Sequence, residues 1–352
     1  MISNYRSLNR FLRKRISDIE LERAYIIAEV GNSHDGSLGC AHAFIDNCAT
    51  AGADAIKFQT HIARFESTIN EKFRVKFSYA DENRFDYWQR LEFSTEEWDG
   101  LKRHAHEVGL DFLSTPFSIE AVNLLKNIGV NVWKVSSGEI AAPEMLEALV
   151  SQRDPIIVST GMSNYSEIAS VVKNLRVNGS LFSLLQCTTM YPTPLNYVGL
   201  NVINELQAKF ECITGLSDHS GSVIPPTAAI ARGCKLLELH VTFDRKMFGP
   251  DQSSSLTFQE LKQIREFSDK LLIMDKSEYD KNQVANELKN TKSLFGKSLA
   301  LKEAQLAGTL ICEEMLTFKK PAGGLSDKSL FIGKKLLENV SENRLLELQD
   351  VE

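Results

Sequence analysis

Along most of the chain, short apolar or β-branched runs alternate with longer amphipathic segments. Residues 25–29, 55–59, 110–114, 130–135, 155–159 and 181–186 have the length and composition of strands. Two further runs, 213–219 and 236–242, bring the set to eight. The segments between them carry Leu and Ile at three- and four-residue spacing, the pattern of helices packed on one face. Ser94-Thr-Glu-Glu97 forms a capping box ahead of Trp98, Leu101 and His104, and Ser118 caps a helix through Leu125. Strand-then-helix units in series predict an α/β fold, a (β/α)₈ TIM barrel with all strands parallel. A doubly wound open sheet is the alternative, but no Gly-x-Gly-x-x-Gly follows the first strand.

Within the last run, Leu-Leu-Glu-Leu-His-Val-Thr, Glu238 and His240 are two residues apart. On a strand they share one face, while Leu237, Leu239 and Val241 share the other. His219 stands where the preceding run gives way to a loop, so both histidines come from one edge of a parallel sheet and can share a ligand. Other polar residues collect at the same edge. Glu29, Lys57, Gln59, Thr115, Lys134, Ser137, Ser159, Thr188 to Tyr191 and Ser217 all lie at or just past a strand's C-terminal end. In a barrel that is the catalytic face.

The connection 60–93 is rich in Phe, Tyr and Arg, and a loop of that length suits a lid over a site. The texture changes after residue 274. The expected division is a barrel over 1–274 (with an N-terminal extension, 1–23), a polar linker over 275–292 and a small β-rich domain over 293–352. A net charge of −6 argues against nucleic acid or an anionic membrane as partner, so any anionic substrate needs local lysines. Six scattered cysteines without a Cys-x-x-Cys indicate reduced thiols and a cytoplasmic setting. Cys187 has no adjacent base in the sequence and reads as a buried thiol rather than a nucleophile. The N-terminus lacks the apolar core of a signal peptide, and no run approaches the length of a membrane span.

Several longer motifs occur in order: Ala28-Glu-Val-Gly-Asn-Ser-His-Asp-Gly36, Ile56-Lys-Phe-Gln-Thr-His61, Ser114-Thr-Pro-Phe117, Lys134-Val-Ser-Ser-Gly-Glu139, Ser159-Thr-Gly-Met162, Cys187-Thr-Thr-Met-Tyr-Pro-Thr-Pro194, Gly215-Leu-Ser-Asp-His219 and Gly249-Pro-Asp251. By these the chain resembles the sialic acid (N-acetylneuraminate) synthase family, and its tail resembles that family's antifreeze-like, or SAF, domain. The resemblance implies a metal-dependent condensation of phosphoenolpyruvate with an N-acyl hexosamine such as N-acetylmannosamine or a related diamino sugar. A nine-carbon 2-keto sugar acid and phosphate would result. It implies His219 and His240 as metal ligands, with Glu238 beside the metal. Lys57, Thr115, Lys134, Ser137, Ser159 and Ser217 would hold phosphoenolpyruvate, and Glu29, Gln59, Tyr191 and Asp251 would surround the sugar. Thr189 stands where many members have Asn, and Gln186 where many have His. Lys320 takes the place of a tail arginine that reaches the partner's sugar site in a homodimer with exchanged tails.

Two imidazoles leave coordination positions open, which suits manganese, or magnesium or cobalt, better than a four-ligand structural zinc. Glu29 or Glu238 would position or deprotonate the attacking water. Two other functions share the barrel: a Schiff-base aldolase working through Lys134, and a catalytically silent sugar-binding relative.

Overall fold

The computed structural model describes residues 7–352. Residues 1–6, part of the stretch read above for a signal peptide, lie outside it. The chain divides into two compact units, Met1–Lys276 and Ser277–Glu352. In the first, eight parallel strands form a barrel: β1 (Tyr25–Gly31), β2 (Ala55–Thr60), β3 (Asp111–Pro116), β4 (Trp133–Val135), β5 (Ile156–Ser159), β6 (Phe182–Cys187), β7 (Ile213–Asp218) and β8 (Leu236–Thr242). Hydrogen-bonded neighbours run β3-β2-β1-β8-β7-β6-β5-β4, and β3 lies beside β4 to close the circle without a bond ladder. A short β9 (Leu256–Thr257) pairs in parallel alongside the end of β8. Helices such as Leu38–Thr50, Thr95–Glu107, Ile119–Asn127, Tyr165–Val177 and Leu200–Phe210 fill the connections.

Local chemistry sets these boundaries. Ser94 and Glu97 make the reciprocal capping box, and Ser118 Oγ accepts from the Ala121 N–H. β4 starts later than the apolar run suggests. The Val130 N–H donates to the Leu125 carbonyl, closing the preceding helix, and the ladder begins at Trp133, whose N–H donates to the Pro155 carbonyl.

The period of two along each strand sorts the core into two parts. Ile26, Ala28, Ile56, Phe58, Trp133, Val158, Leu237 and Leu239 face outward and pack under the helices. Tyr25, Ile27, Ala55, Leu113, Val132, Ile157, Leu185, Ile213 and Leu236 belong to a separate inner cluster at the strand starts. That cluster also contains Leu8, Phe11, Leu12 and Ile19. The N-terminal extension is therefore structural: its helices Leu8–Leu12 and Ile16–Ile19 plug the lower end of the barrel. Packing inside is tight. A Cβ on Gly215 would lie 2.2 Å from the Leu236 carbonyl oxygen, so only glycine fits there.

Two residues further along the same inward faces, apolar side chains give way to polar ones. Glu29 follows Ile27, Lys57 follows Ala55, Thr115 follows Leu113 and Lys134 follows Val132. Ser159, Cys187 and Glu238 follow Ile157, Leu185 and Leu236 in the same way. The barrel thus has a dry floor and a polar ceiling.

The second unit has its own core, built from Leu299, Leu301, Ile311, Leu316, Phe331, Leu336, Val340, Leu346 and Val351. Its regular sheet is one antiparallel pair, β10 (Ser298–Leu301) with β11 (Leu316–Lys319), supplemented by isolated bridges. The stretch expected as a polar linker is largely helical, with helices Lys281–Glu287 and Lys289–Phe295. The bridged pattern continues past Gly333, to Leu336 with Val351.

If the plug closes the barrel floor, Phe11→Ala should lower unfolding free energy by about 3–5 kcal/mol in chemical denaturation, as for other buried phenylalanines. A change below about 1 kcal/mol would mean that the plug is dispensable.

Candidate active site

The polar ceiling opens into a cavity of about 510 Å³ at the C-terminal ends of the strands. Four charged side chains from β1, β2, β4 and β8 occupy its base, and all are almost wholly buried. Lys57 Nζ lies 2.8 Å from Glu29 Oε2 and 3.8 Å from Glu238 Oε2. Lys134 Nζ lies 3.6 Å from Glu238 Oε1. The β1–β2 register sets Glu29 beside Lys57, and the β1–β8 register sets Glu29 beside His240. Hydroxyls surround the lysines: Lys57 donates to Thr115 Oγ1 at 3.0 Å, and Lys134 donates to Ser159 Oγ at 2.7 Å. Ser217 Oγ donates to Glu238 Oε1 at 3.2 Å. The Gly161 N–H donates to Ser137 Oγ at 2.9 Å. A Cβ on Gly161 would come within 2.5 Å of Thr189 Oγ1 and 2.8 Å of Ser137 Oγ, which keeps this wall bare backbone.

The two carboxylates are tuned apart. Burial pushes the Glu29 carboxyl up to about 7, with the Glu238 charge adding to the effect and Lys57 opposing it. Burial acts on Glu238 too, but Lys134 and Lys57 outweigh it and hold that carboxyl below its usual value. Burial depresses Lys134, whereas the two glutamates keep Lys57 raised.

The two histidines are neighbours, with ring centroids 5.2 Å apart and planes at 57°. His219 Nδ1 donates to the Thr188 carbonyl at 3.0 Å and lies 3.8 Å from Cys187 Sγ. Its Nε2 lies 3.2 Å from the Tyr191 hydroxyl. Burial works against a charge on His219, but Cys187, the Thr188 carbonyl and Glu238 outweigh it and push the ring up to about 9. Surroundings that favour a proton there also favour a metal cation in its place. Burial, with His219 and the lysines, keeps His240 well below its ordinary value, so that ring is neutral. His240 Nδ1 is buried without a hydrogen-bond partner, an orphan that a ligand would satisfy. Among the described residues no group of three or more His, Cys, Asp or Glu side chains is placed to hold a metal. The pair fits an ion that takes its other ligands from water or substrate.

The connection between β2 and β3 forms the outer wall. It contains helices Ala63–Glu66 and Arg84–Leu91 and contributes Phe73, Arg74, Phe77, Arg84, Tyr87 and Trp88 to the cavity. The Arg74 guanidinium lies 4.4 Å from the Tyr191 ring centre, and Nη2 donates to Asp251 Oδ1 at 3.2 Å. Tyr191 in turn stacks on His219 at 4.2 Å. Arg84 pairs with Glu71 at 3.0 Å, and Glu71 also accepts from Trp88 Nε1 at 3.0 Å. Arg90 ties the wall down by bonding Asp81 and Asp35, and its hydrogen bonds hold the Asp81 carboxyl below its usual value.

The cavity gathers Glu29, Lys57, Gln59, Thr115, Lys134, Ser137, Ser159, Thr189, Tyr191, Ser217, His219, Glu238, His240 and Asp251. Lys320 belongs to the second unit, where its ammonium lies 5.1 Å from the Phe295 ring centre. His34 stays out of the cavity, buried against Phe93 and Phe58. Gln186 is also outside, donating to the Val198 carbonyl at 3.2 Å. Cys187 does line the cavity, and the basic partner that the sequence did not reveal is His219 on the next strand's loop. Asn32, Glu66, Glu71, Arg74, Arg84, Phe117 and Glu139 also line the cavity; Asn32, Phe117 and Glu139 lie within the motifs quoted above, whereas Arg74 and Glu71 carry no local signal.

Among the described residues no helix is long and apolar enough to cross a membrane. The sequence pattern of the NeuB family matches residues 44–278. The chain is 35% identical to the N,N'-diacetyllegionaminic acid synthase of Campylobacter jejuni subsp. jejuni serotype O:2, over 93% of this chain and 99% of that one. It is 32% identical to the human N-acetylneuraminate-9-phosphate synthase, over 91% and 90%. The crystal structure of the N-acetylneuraminic acid (sialic acid) synthetase of Leptospira borgpetersenii serovar Hardjo-bovis, in complex with citrate, superposes with a TM-score of 0.66 at 30% identity, covering 77% of this chain and 93% of that one. With its barrel, its strand-end cavity and these matches over most of its length, the chain belongs to the NeuB family of sialic acid and related nonulosonic acid synthases, and it is an enzyme.

Proposed function

We propose that the cavity condenses phosphoenolpyruvate with an unphosphorylated N-acyl hexosamine, giving a nine-carbon 2-keto sugar acid and phosphate. The observation that carries this reading is the pair of buried lysines, Lys57 and Lys134, set among hydroxyls beside an imidazole pair in one cavity. The lysines, with Thr115, Ser137, Ser159 and Ser217, suit the carboxylate and phosphate of a small dianionic acid. A carbon–carbon bond forms between its enol carbon and the sugar's aldehyde carbon. Water adds at the carbon bearing phosphate, and phosphate leaves. Glu29, raised to about 7, is the group suited to take the water's proton near neutral pH, a contribution of about 10²–10⁴-fold in rate. Glu238 remains charged and positions the two ammonium groups.

His219 and His240 would hold a divalent ion, manganese in preference to magnesium or cobalt. When bound, it supplies Lewis acidity towards the sugar's carbonyl oxygen. Gln59, Tyr191, Thr189 and Asp251, which line the cavity, would surround the sugar.

The outer wall argues for an uncharged acceptor. It bears Glu66, Glu71, Glu139 and Asp251 against Arg74 and Arg84, and both arginines are already paired. Burial and the Glu66 charge raise Glu139, a sign of crowded carboxyls. A phosphate on the acceptor would meet that excess of acid, whereas Phe73 and Phe77 offer apolar surface to N-acyl or deoxy groups. The second unit, by its resemblance to the SAF domain, would cap the barrel of a second copy in a homodimer, bringing Lys320 to the partner's sugar.

Phosphate release from phosphoenolpyruvate should appear with N-acetylmannosamine or a 2,4-diacetamido-trideoxy sugar, and N-acetylmannosamine 6-phosphate should be the poorest acceptor of the panel. Preference for the phosphorylated sugar would overturn the acceptor assignment. Chelation with EDTA should abolish turnover and manganese should restore it. His219→Ala and His240→Ala should each weaken manganese binding, read by calorimetry. A borohydride-trapped adduct on Lys134, with EDTA-resistant activity, would instead favour the Schiff-base aldolase.

A further inference from the structure

His61 lines the cavity but has no part in the chemistry above. It follows β2 directly, two residues past Gln59. Its ring is sandwiched between Trp88, with centroids 3.8 Å apart and planes at 11°, and Phe117, at 4.4 Å and 14°. Two near-parallel faces leave the imidazole free only within its own plane, so its nitrogens point out of the two edges of the slot. At one edge Nδ1 lies 2.5 Å from Glu66 Oε1, whose partner oxygen accepts from the Ile62 N–H at 3.3 Å. At the other, Nε2 lies 3.2 Å from Gln59 Oε1 and 3.4 Å from Asn32 Nδ2.

The hydrogen-bond directions follow from the carboxylate at the far end. In its charged form Glu29 Oε1 accepts, so Gln59 Nε2 donates to it at 3.0 Å. The other end of that amide, Oε1, then has to accept. It does so from Asn32 Nδ2 at 3.0 Å and from His61 Nε2–H, which, with Nδ1–H facing the Glu66 carboxylate, puts a hydrogen on both ring nitrogens. Turning the amide over would set its oxygen against the Glu29 carboxylate and its NH₂ against two donors. Glu66, His61, Gln59 and Glu29 therefore form one directed line, ending on the carboxylate that also holds Lys57.

We infer that His61 is a positioning residue: gripped by Trp88 and Phe117 and aimed by Glu66, it fixes the Gln59 amide and through it the Glu29 carboxylate. Stacking alone does not account for the imidazole. A phenylalanine would fill the same slot, but it would leave Glu66 Oε1 without a donor and Gln59 Oε1 held by Asn32 alone. The inference rests on the condensation proposed above, in which Glu29 takes a proton.

The test compares kcat and KM for phosphate release in the full-length wild type, His61→Phe and His61→Gly, the last with and without added imidazole or pyrazole. His61→Phe should keep a melting temperature near wild type and lose about tenfold to hundredfold in kcat, as small misplacements of reacting groups do. Its KM for phosphoenolpyruvate should change by no more than about twofold, since the lysines are untouched. Imidazole should restore much of the activity of His61→Gly. Pyrazole should not, because its adjacent nitrogens cannot reach both Glu66 and Gln59. Full kcat in His61→Phe, or equal rescue by the two heterocycles, would overturn the inference while leaving the condensation standing. If His61→Gly fails to fold, the kcat and melting temperature of His61→Phe decide alone. A wild type that releases no phosphate with any acceptor would defeat the proposed reaction, and this inference with it.

Discussion

Glu29, Lys57, Lys134 and Glu238 are each no more than 5% exposed, and buried charges are tolerated only when paired. That constraint governs the rest of the structure. The four come from four different strands, so their mutual neutralisation requires the register of the whole barrel. Lys57 lies between the two carboxylates and Glu238 between the two lysines, so removing any one leaves another buried charge short of a partner. The apolar layer below, sealed by Leu8, Phe11, Leu12 and Ile19, keeps water from relieving them from beneath. Only the cavity side is open, and there an anionic ligand meets ammonium groups already in place.

A second tier of contacts rests on this base. Tyr191 stacks on His219, and Arg74 covers Tyr191 while bonding Asp251. The histidine pair, the Asp251 side of the cavity and the outer wall are thereby linked through stacked and ion-paired groups. His61, held between Trp88 and Phe117, joins the same wall to Glu29 from the opposite side. The β2–β3 connection thus has two routes of influence on the barrel's polar ceiling, one through the imidazole pair and one through the carboxylate.

Much of this architecture is legible in the sequence because a period of two is a local signal. Glu238 and His240 on one face of an apolar run, or Lys57 following Ala55, can be read without knowing any neighbour. The capping box at Ser94 is local as well, and the structure contains it. What escaped depends on distant partners. Leu8 and Phe11 look like an ordinary tail until the strand starts give them a surface. Arg74 meets Asp251 across 177 positions, with no spacing to announce it. Cys187 gained a basic neighbour only because its pairing with Ser217 sets His219 close by.

The central claim is that the lysine pair at the barrel's polar ceiling forms a ready-made anion site. Calorimetric titration of phosphoenolpyruvate into the folded enzyme without acceptor, in wild type, Lys57→Met and Lys134→Met, tests it most directly. Saturable binding is expected in the wild type, weakened by more than about tenfold in Kd in any lysine variant that retains a cooperative melting transition. Wild-type affinity in both folded variants would contradict it.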